Sequence, residues 1–265
     1  MLSSEQGAAL SPPEQAATVL QPERLNPWFS AVCDGRPRLR LCCLPYAGGT
    51  GAVFKDWPAA LPPGIQLLTA HLPGRGDRFA EPPPRTLEET AEHLCAALPP
   101  ADVPTVLLGH SMGALLAYET ALRLQEESRA PDLLVATGAR PPHQHPGDTA
   151  APDEAELAAT LRRERPWDDA LLDDDLMEAV LPTLIADIEA GDRYHRPEPT
   201  ELTCPLKVYI GADDDGTDWP TALGWRRCTG DTFEIAVLPG DHYFIETART
   251  DVVRRLSSDL TPWVT

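Results

Sequence analysis

The chain has 265 residues, with 22 Lys and Arg against 41 Asp and Glu, for a formal charge of −19 at pH 7. That length supports one substantial core, and the charge repels nucleic acid and anionic membrane surfaces, which removes both as expected partners. With no run of 18 apolar residues, no basic-then-apolar leader and six cysteines lacking CxxC spacing, a reduced cytoplasmic protein is expected, neither exported nor membrane-spanning.

Residues 1 to about 26 mix Pro, Gln, Glu, Ser and Ala without an apolar period and are expected to be a disordered leader, leaving 27–265 as one domain. From there short apolar runs alternate with longer stretches of helical period. The spacing predicts strands over 38–44, 66–72, 104–109, 132–137, 206–211 and 232–237, and helices near 53–60, 86–98, 112–127, 219–227 and 245–260. That order predicts an α/β fold, a mostly parallel sheet with helices on both faces. Between 150 and 190 the rhythm breaks, and a helical lid insertion at about 143–195 is the expectation. Inside it Leu176, Val180, Leu184 and Ile188 recur every fourth residue, a stripe that must cover either core or substrate.

The strongest local signal is Gly109-His110-Ser111-Met112-Gly113, between the apolar run TVLL and the helical stretch ALLAYETALRL. GxSxG by itself is common. Set between a strand and a helix, it describes a sharp turn that lifts a serine hydroxyl above a sheet, with glycines where the elements crowd. A serine hydroxyl barely ionises near neutral pH, so it needs a base within hydrogen-bond reach and an acid that fixes the base's tautomer. The order Ser, Asp, His is the one the α/β-hydrolase fold uses. Here strand 206–211 runs into Asp213-Asp214-Asp215, and strand 232–237 runs into Asp241-His242, both just past strand C-termini.

Seven histidines compete for the base. His110 adjoins Ser111, and neighbouring side chains diverge in a sharp turn, so a structural role is expected. His93 sits in a helical pattern, His71 ends a strand and is open to lining a pocket, and His143, His145 and His195 occupy polar loops where solvation is expected. His242 remains. For the acid, Asp213, Asp214, Asp215 and Asp218 are equally eligible on sequence position. A histidine base predicts activity that falls as pH drops through the imidazole range, about 6.5 when unperturbed.

Attack on a carbonyl also needs two N–H donors for the oxyanion, worth about 3 kcal/mol each. The Met112 amide, opening the helix after Ser111, supplies one. The other should come from the loop after the first strand, Leu44-Pro45-Tyr46-Ala47-Gly48-Gly49-Thr50-Gly51, whose glycines permit close approach of backbone to ligand. A phosphate-binding loop is the competing reading, but GGTG lacks both the GK[ST] ending and GxGxxG spacing.

Taken together, LPYAGGTGAVFKDW, HLPGRGDRFAEPP at 71–83, GHSMGALLAYE at 109–119, RPEP at 196–199, GADDD at 211–215, WRR at 225–227 and LPGDHYF at 238–244 resemble the type II thioesterases. These are editing hydrolases of polyketide and nonribosomal peptide antibiotic assembly lines. The resemblance runs from about 38 to 260. It implies an acid at Asp214, oxyanion donors at the amides of Ala47 and Met112, and Arg75 and Arg78 near the site. It also implies hydrolysis of acyl or peptidyl thioesters on the phosphopantetheine arm of acyl or peptidyl carrier proteins, with no metal or organic cofactor. The chain departs from the family at Arg162–Trp167, where a Gly-Gly-x-Pro turn is usual, and at Gly216, where Pro is usual. Arg162, Arg163 and Arg165 form a candidate docking patch for an acidic carrier. A carboxylesterase or product-releasing acyltransferase acting on free small molecules, and a binding protein with an idle Ser-His-Asp set, are the competing functions.

Overall fold

The computed structural model describes residues 21–147, 152–168 and 173–264. Its strands are β1 (Glu23–Arg24), β2 (Phe29–Val32), β3 (Leu39–Leu44), β4 (Ile65–Ala70), β5 (Thr105–His110), β6 (Leu133–Thr137), β7 (Leu206–Gly211) and β8 (Phe233–Leu238). They form one sheet in the order β1-β2-β4-β3-β5-β6-β7-β8, parallel from β4 through β8 and antiparallel where β2 joins β4 and β1 joins β2. All six strands expected from sequence are present within two residues at either end. The two antiparallel strands were not expected. The leader expected over 1–26 falls largely outside the described residues, and at its described end Glu23 and Arg24 pair with Ala31 and Ser30.

Helices α1 (Leu87–Ala97) and α2 (Met112–Glu126) pack on one face, α7 (Arg249–Val264) on the other. Because both faces are covered, the central strands are apolar at nearly every position rather than alternating with polar residues. Their side chains still alternate between the two cores. Cys42 belongs to the same core as Leu94 and Leu115, whereas Cys43 belongs to the other, with Trp57 and Leu256. The pleat therefore sends these adjacent thiols to opposite faces, where they cannot share a ligand. All six cysteines are free thiols.

Three helical expectations are modified. At 53–60 the chain forms only a 3-10 turn, Gly51–Phe54, since Pro58, Pro62 and Pro63 remove donors a longer helix needs. The 219–227 stretch divides into α5 (Trp219–Leu223) and a 3-10 turn, Gly224–Cys228, and the C-terminal stretch divides into α6 (Phe244–Thr247) and α7.

Over the C-terminal edge of the sheet lie α3 (Glu154–Glu164) and the 20-residue α4 (Asp174–Arg193). Leu161, Met177 and Leu184 form a small core of their own against Val180, Ile188 and Ala47. Of the four-residue stripe, Leu176 is 49% exposed while Leu184 is buried. A spacing of four advances the side chain about 40° beyond a full turn at 3.6 residues per turn, so the stripe swings about 120° by its end. Residues 148–151 and 169–172 of the insertion lie outside the described residues.

Candidate active site

Ser111 alone separates β5 from α2, in a left-handed conformation at φ 56 and ψ −122. For a residue with a Cβ this costs about 1–3 kcal/mol and persists only where packing imposes it. Here it does. A Cβ on Gly109 would stand 1.9 Å from the Gly113 carbonyl oxygen, and one on Gly113 would stand 2.4 Å from the carbonyl of Leu44 at the end of β3. Both positions exclude any side chain, and the backbone closes around the serine, whose N–H donates to the Thr137 carbonyl at 2.8 Å.

His242 follows β8 and Asp214 follows β7. His242 Nε2 lies 3.1 Å from Ser111 Oγ, and its Nδ1 lies 3.1 Å from Asp214 Oδ2. These distances fit a chain in which Nδ1–H donates to the carboxylate, leaving Nε2 free to accept a proton. Asp214 is buried, and Asp213 and Asp215 are exposed. Asp218 caps α5, accepting the Thr221 N–H at 2.9 Å. Burial opposes charge on Asp214, but its hydrogen bond and charge interaction with His242, together with the Gly216 N–H, prevail and hold its carboxyl below the usual value.

His110 points away from Ser111 and is fully buried. Its Nε2–H donates to the His242 carbonyl at 2.8 Å, and Nδ1 accepts from the Thr137 hydroxyl at 2.8 Å. It thus holds the backbone of the loop that carries His242. His71 bonds Ser30 and His93 stacks on Trp28. His145, expected to be solvated, is instead half-buried and lines the cavity beside Ser111.

That cavity has a volume of about 480 Å³, and Ser111, His242, Met112, Ala47, Leu115 and Ile188 are among its walls. The amides of Ala47 and Met112 have no hydrogen-bond acceptor among the described residues, so both are available to a ligand. Among those residues no cluster of His, Cys, Asp and Glu suits a metal ion, and no helix is long and apolar enough to cross a membrane.

Sequence reasoning missed Asp187, on α4. Its carboxylate is buried, accepts the Gly48 N–H at 2.7 Å and receives both terminal nitrogens of Arg75 at 2.5 and 2.8 Å. The available signal was a carboxylate between Leu184 and Ile188, inside the apolar part of the stripe. Arg78 turns elsewhere, to Glu81 and the face of Trp28. The arginine patch is also rearranged. Arg162 pairs with Asp174, and Arg165 is largely buried against Asp168, Glu246 and the rings of Tyr46 and Tyr243, which leaves Arg163 as the exposed member.

Residues 39–260 match the thioesterase domain family. The chain is 34% identical over 228 residues to the thioesterase PikA5 of Streptomyces venezuelae, covering 84% of this chain and 81% of that protein. It is 29% identical over 243 residues to the gramicidin S biosynthesis protein GrsT of Aneurinibacillus migulanus, covering 89% and 95%. Among solved structures it is similar to the RedJ thioesterase from the prodiginine pathway of Streptomyces coelicolor, with a TM-score of 0.78 at 35% identity over 84% of this chain and 86% of that one. The type II thioesterase BorB from the borrelidin cluster gives a TM-score of 0.80 at 27% identity, over 90% and 99%.

Proposed function

The chain belongs to the thioesterase domain family, and from that membership we propose that it hydrolyses acyl or peptidyl thioesters carried on the phosphopantetheine arm of acyl or peptidyl carrier proteins, clearing stalled or misprimed units in polyketide or nonribosomal peptide synthesis. The observation that carries the reading is the Ser111–His242–Asp214 hydrogen-bonded chain, with both links at 3.1 Å, at the wall of a cavity that also presents two unpartnered amides.

In this mechanism Ser111 Oγ attacks the thioester carbonyl carbon while His242 Nε2 takes the hydroxyl proton and Asp214 stabilises the imidazolium. The Ala47 and Met112 amides hold the oxyanion. As the tetrahedral intermediate collapses, the carbon–sulfur bond breaks and the pantetheine sulfur leaves with the proton from His242. Water then attacks the acyl-serine, again with His242 as base, releasing a carboxylic acid and regenerating Ser111. The segment at about 143–195, with α3 and α4, serves as the lid over the acyl group. The setting is the cytoplasm, where carrier proteins are loaded, and the chemistry requires no cofactor.

The test compares kcat/KM for one acyl group on a loaded carrier protein, on free pantetheine and as an oxygen ester. The carrier-bound thioester is expected to be fastest, and Ser111→Ala to lose roughly 10³-fold or more on every substrate. A faster oxygen ester would favour an esterase. Full activity in Ser111→Ala, or no labelling of the parent by a fluorophosphonate, would remove the serine mechanism.

A further inference from the structure

The Arg75–Asp187 pair joins three segments that chain order keeps apart: the loop after β3, the Pro73–Arg78 turn and the middle of α4. Both side chains are closed to water, at 7% and 6% exposure. The acid's second role is the informative one, because Oδ2 accepts the Gly48 N–H at 2.7 Å as well as the Arg75 guanidinium. Arg75 in turn reaches the Gly49 carbonyl at 3.4 Å and the Pro73 carbonyl at 3.2 Å. We infer that Arg75 and Asp187 are positioning residues that set the Ala47 amide for the oxyanion, so that seating α4 and completing the oxyanion site are one event. The inference rests on the serine mechanism proposed above.

The geometry of the loop supplies the argument. Gly49 N–H donates to the Tyr46 carbonyl at 2.9 Å, which turns that carbonyl into the loop. In a trans peptide the N–H points opposite to the C=O, so the Ala47 N–H faces out of the turn. The next peptide, between Ala47 and Gly48, is the weak point. Gly48 has φ +71, and a glycine there is free to rotate the peptide unless something holds it. Asp187 is that hold. If the carboxylate is removed, the Gly48 N–H loses its acceptor, the 46–49 turn is free to reorient, and the Ala47 N–H no longer has a fixed aim. A donor displaced by about 1 Å is enough to cost roughly 100-fold in rate. Since Asp187 sits on α4, withdrawal of that helix removes the same acceptor.

A single substitution would leave one buried charge unpaired and mix folding with positioning. Replacing a buried pair by apolar residues of similar size is often neutral for stability, so the decisive variant is Arg75→Met/Asp187→Leu. Met is close to Arg in size and Leu is larger than Asp, so the space stays filled while the polar hold is lost. On a small acyl-pantetheine thioester, kcat is expected to fall roughly 10- to 100-fold, with KM changed less than about threefold. The pH midpoint of kcat/KM should be unchanged, because His242 and Asp214 are untouched. The Ki of an acyl trifluoromethyl ketone, which forms an oxyanion on the serine, should rise in step with the loss of kcat/KM. All rates are referred to active sites titrated with a fluorophosphonate.

Parental kcat per titrated site would overturn the inference, and so would a loss of kcat with an unchanged ketone Ki. Should the double variant not fold, Asp187→Asn, which keeps the shape and an oxygen for Gly48, is measured in its place. It is expected to lose less than the double variant's range and to show a parallel rise in ketone Ki, and an unchanged Ki at reduced kcat again overturns the inference. Failure of the serine mechanism is a separate result, read from Ser111→Ala on the same substrate.

Discussion

His110 shares the GHSMG turn with Ser111 yet serves the other side of the site. It is fully buried, and its two nitrogens bond Thr137 and the carbonyl of His242. Burial, reinforced by the positive charge His242 can carry, lowers its pKa to about 3. In the unfolded chain the imidazole titrates at about 6.5. Below that pH the unfolded state binds a proton that the folded state refuses, so stability present at neutral pH drains away as pH falls from about 6.5 toward about 3. His110→Gln keeps an N–H for the His242 carbonyl and removes the titration. The stability difference between parent and variant should therefore shrink by about 1.4 kcal/mol per pH unit on going from about pH 6 to about pH 4, measured by urea unfolding. A constant difference would mean that His110 is not held neutral. Residues at this scale were legible where local pattern fixes them. Ser111 and Met112 follow from a strand-turn-helix motif and His242 from its place after a strand. Position in the chain did not separate Asp214 from its three acidic neighbours; the family resemblance pointed to it, and it is the one that is buried and within reach of the His242 ring. Asp187 showed only as a carboxylate within an apolar stripe, and its role could not be read from there because its partners lie 112 and 139 residues away.

Among the elements, the central parallel strands were legible because double burial makes them apolar at nearly every position, and β8 at the sheet edge by its alternation FEIAVL. β2 was not, since only Phe29 and Ala31 of its four residues face the core, and β1 exposes both of its residues. The end of α4 is fixed by a feature that sequence spacing hides. Glu119 on α2 is buried and accepts the Tyr194 hydroxyl at 2.8 Å and the Arg196 guanidinium at 2.6 Å. One carboxylate thus holds the chain as it leaves the insertion, on the very helix that Ser111 begins. Glu119→Leu strands the tyrosine hydroxyl without its acceptor and Arg196 without its counter-ion. Removing one member of a buried pair costs about 3–5 kcal/mol, and the partial exposure of Arg196 puts the expected loss at the lower end. Thermal unfolding should fall by about 6–12 °C for a chain of this size. An unchanged midpoint would show that α4 is held without Glu119.

At the scale of the whole molecule the charge of −19 acts on any acidic partner before contact, and the proposed carrier proteins are acidic. Local attraction is available near the cavity. Arg140, a wall residue, is exposed and donates to the Gly216 carbonyl, and elsewhere on the surface Arg226 and Arg227 are exposed on the turn after α5, with Arg226 bonded to the Thr229 carbonyl. Which effect governs encounter depends on range. At about 10 mM salt the screening length is about 30 Å, so an approaching carrier meets the whole negative molecule, whereas at about 150 mM it shrinks to about 8 Å and only the surface nearest the cavity is felt. Added salt should therefore raise kcat/KM for a carrier-loaded thioester over this interval, by roughly threefold or more. The same acyl group on uncharged N-acetylcysteamine should show no such rise, because it carries no net charge to repel. A carrier rate that falls with salt would mean that the exposed arginines, not the overall charge, control association.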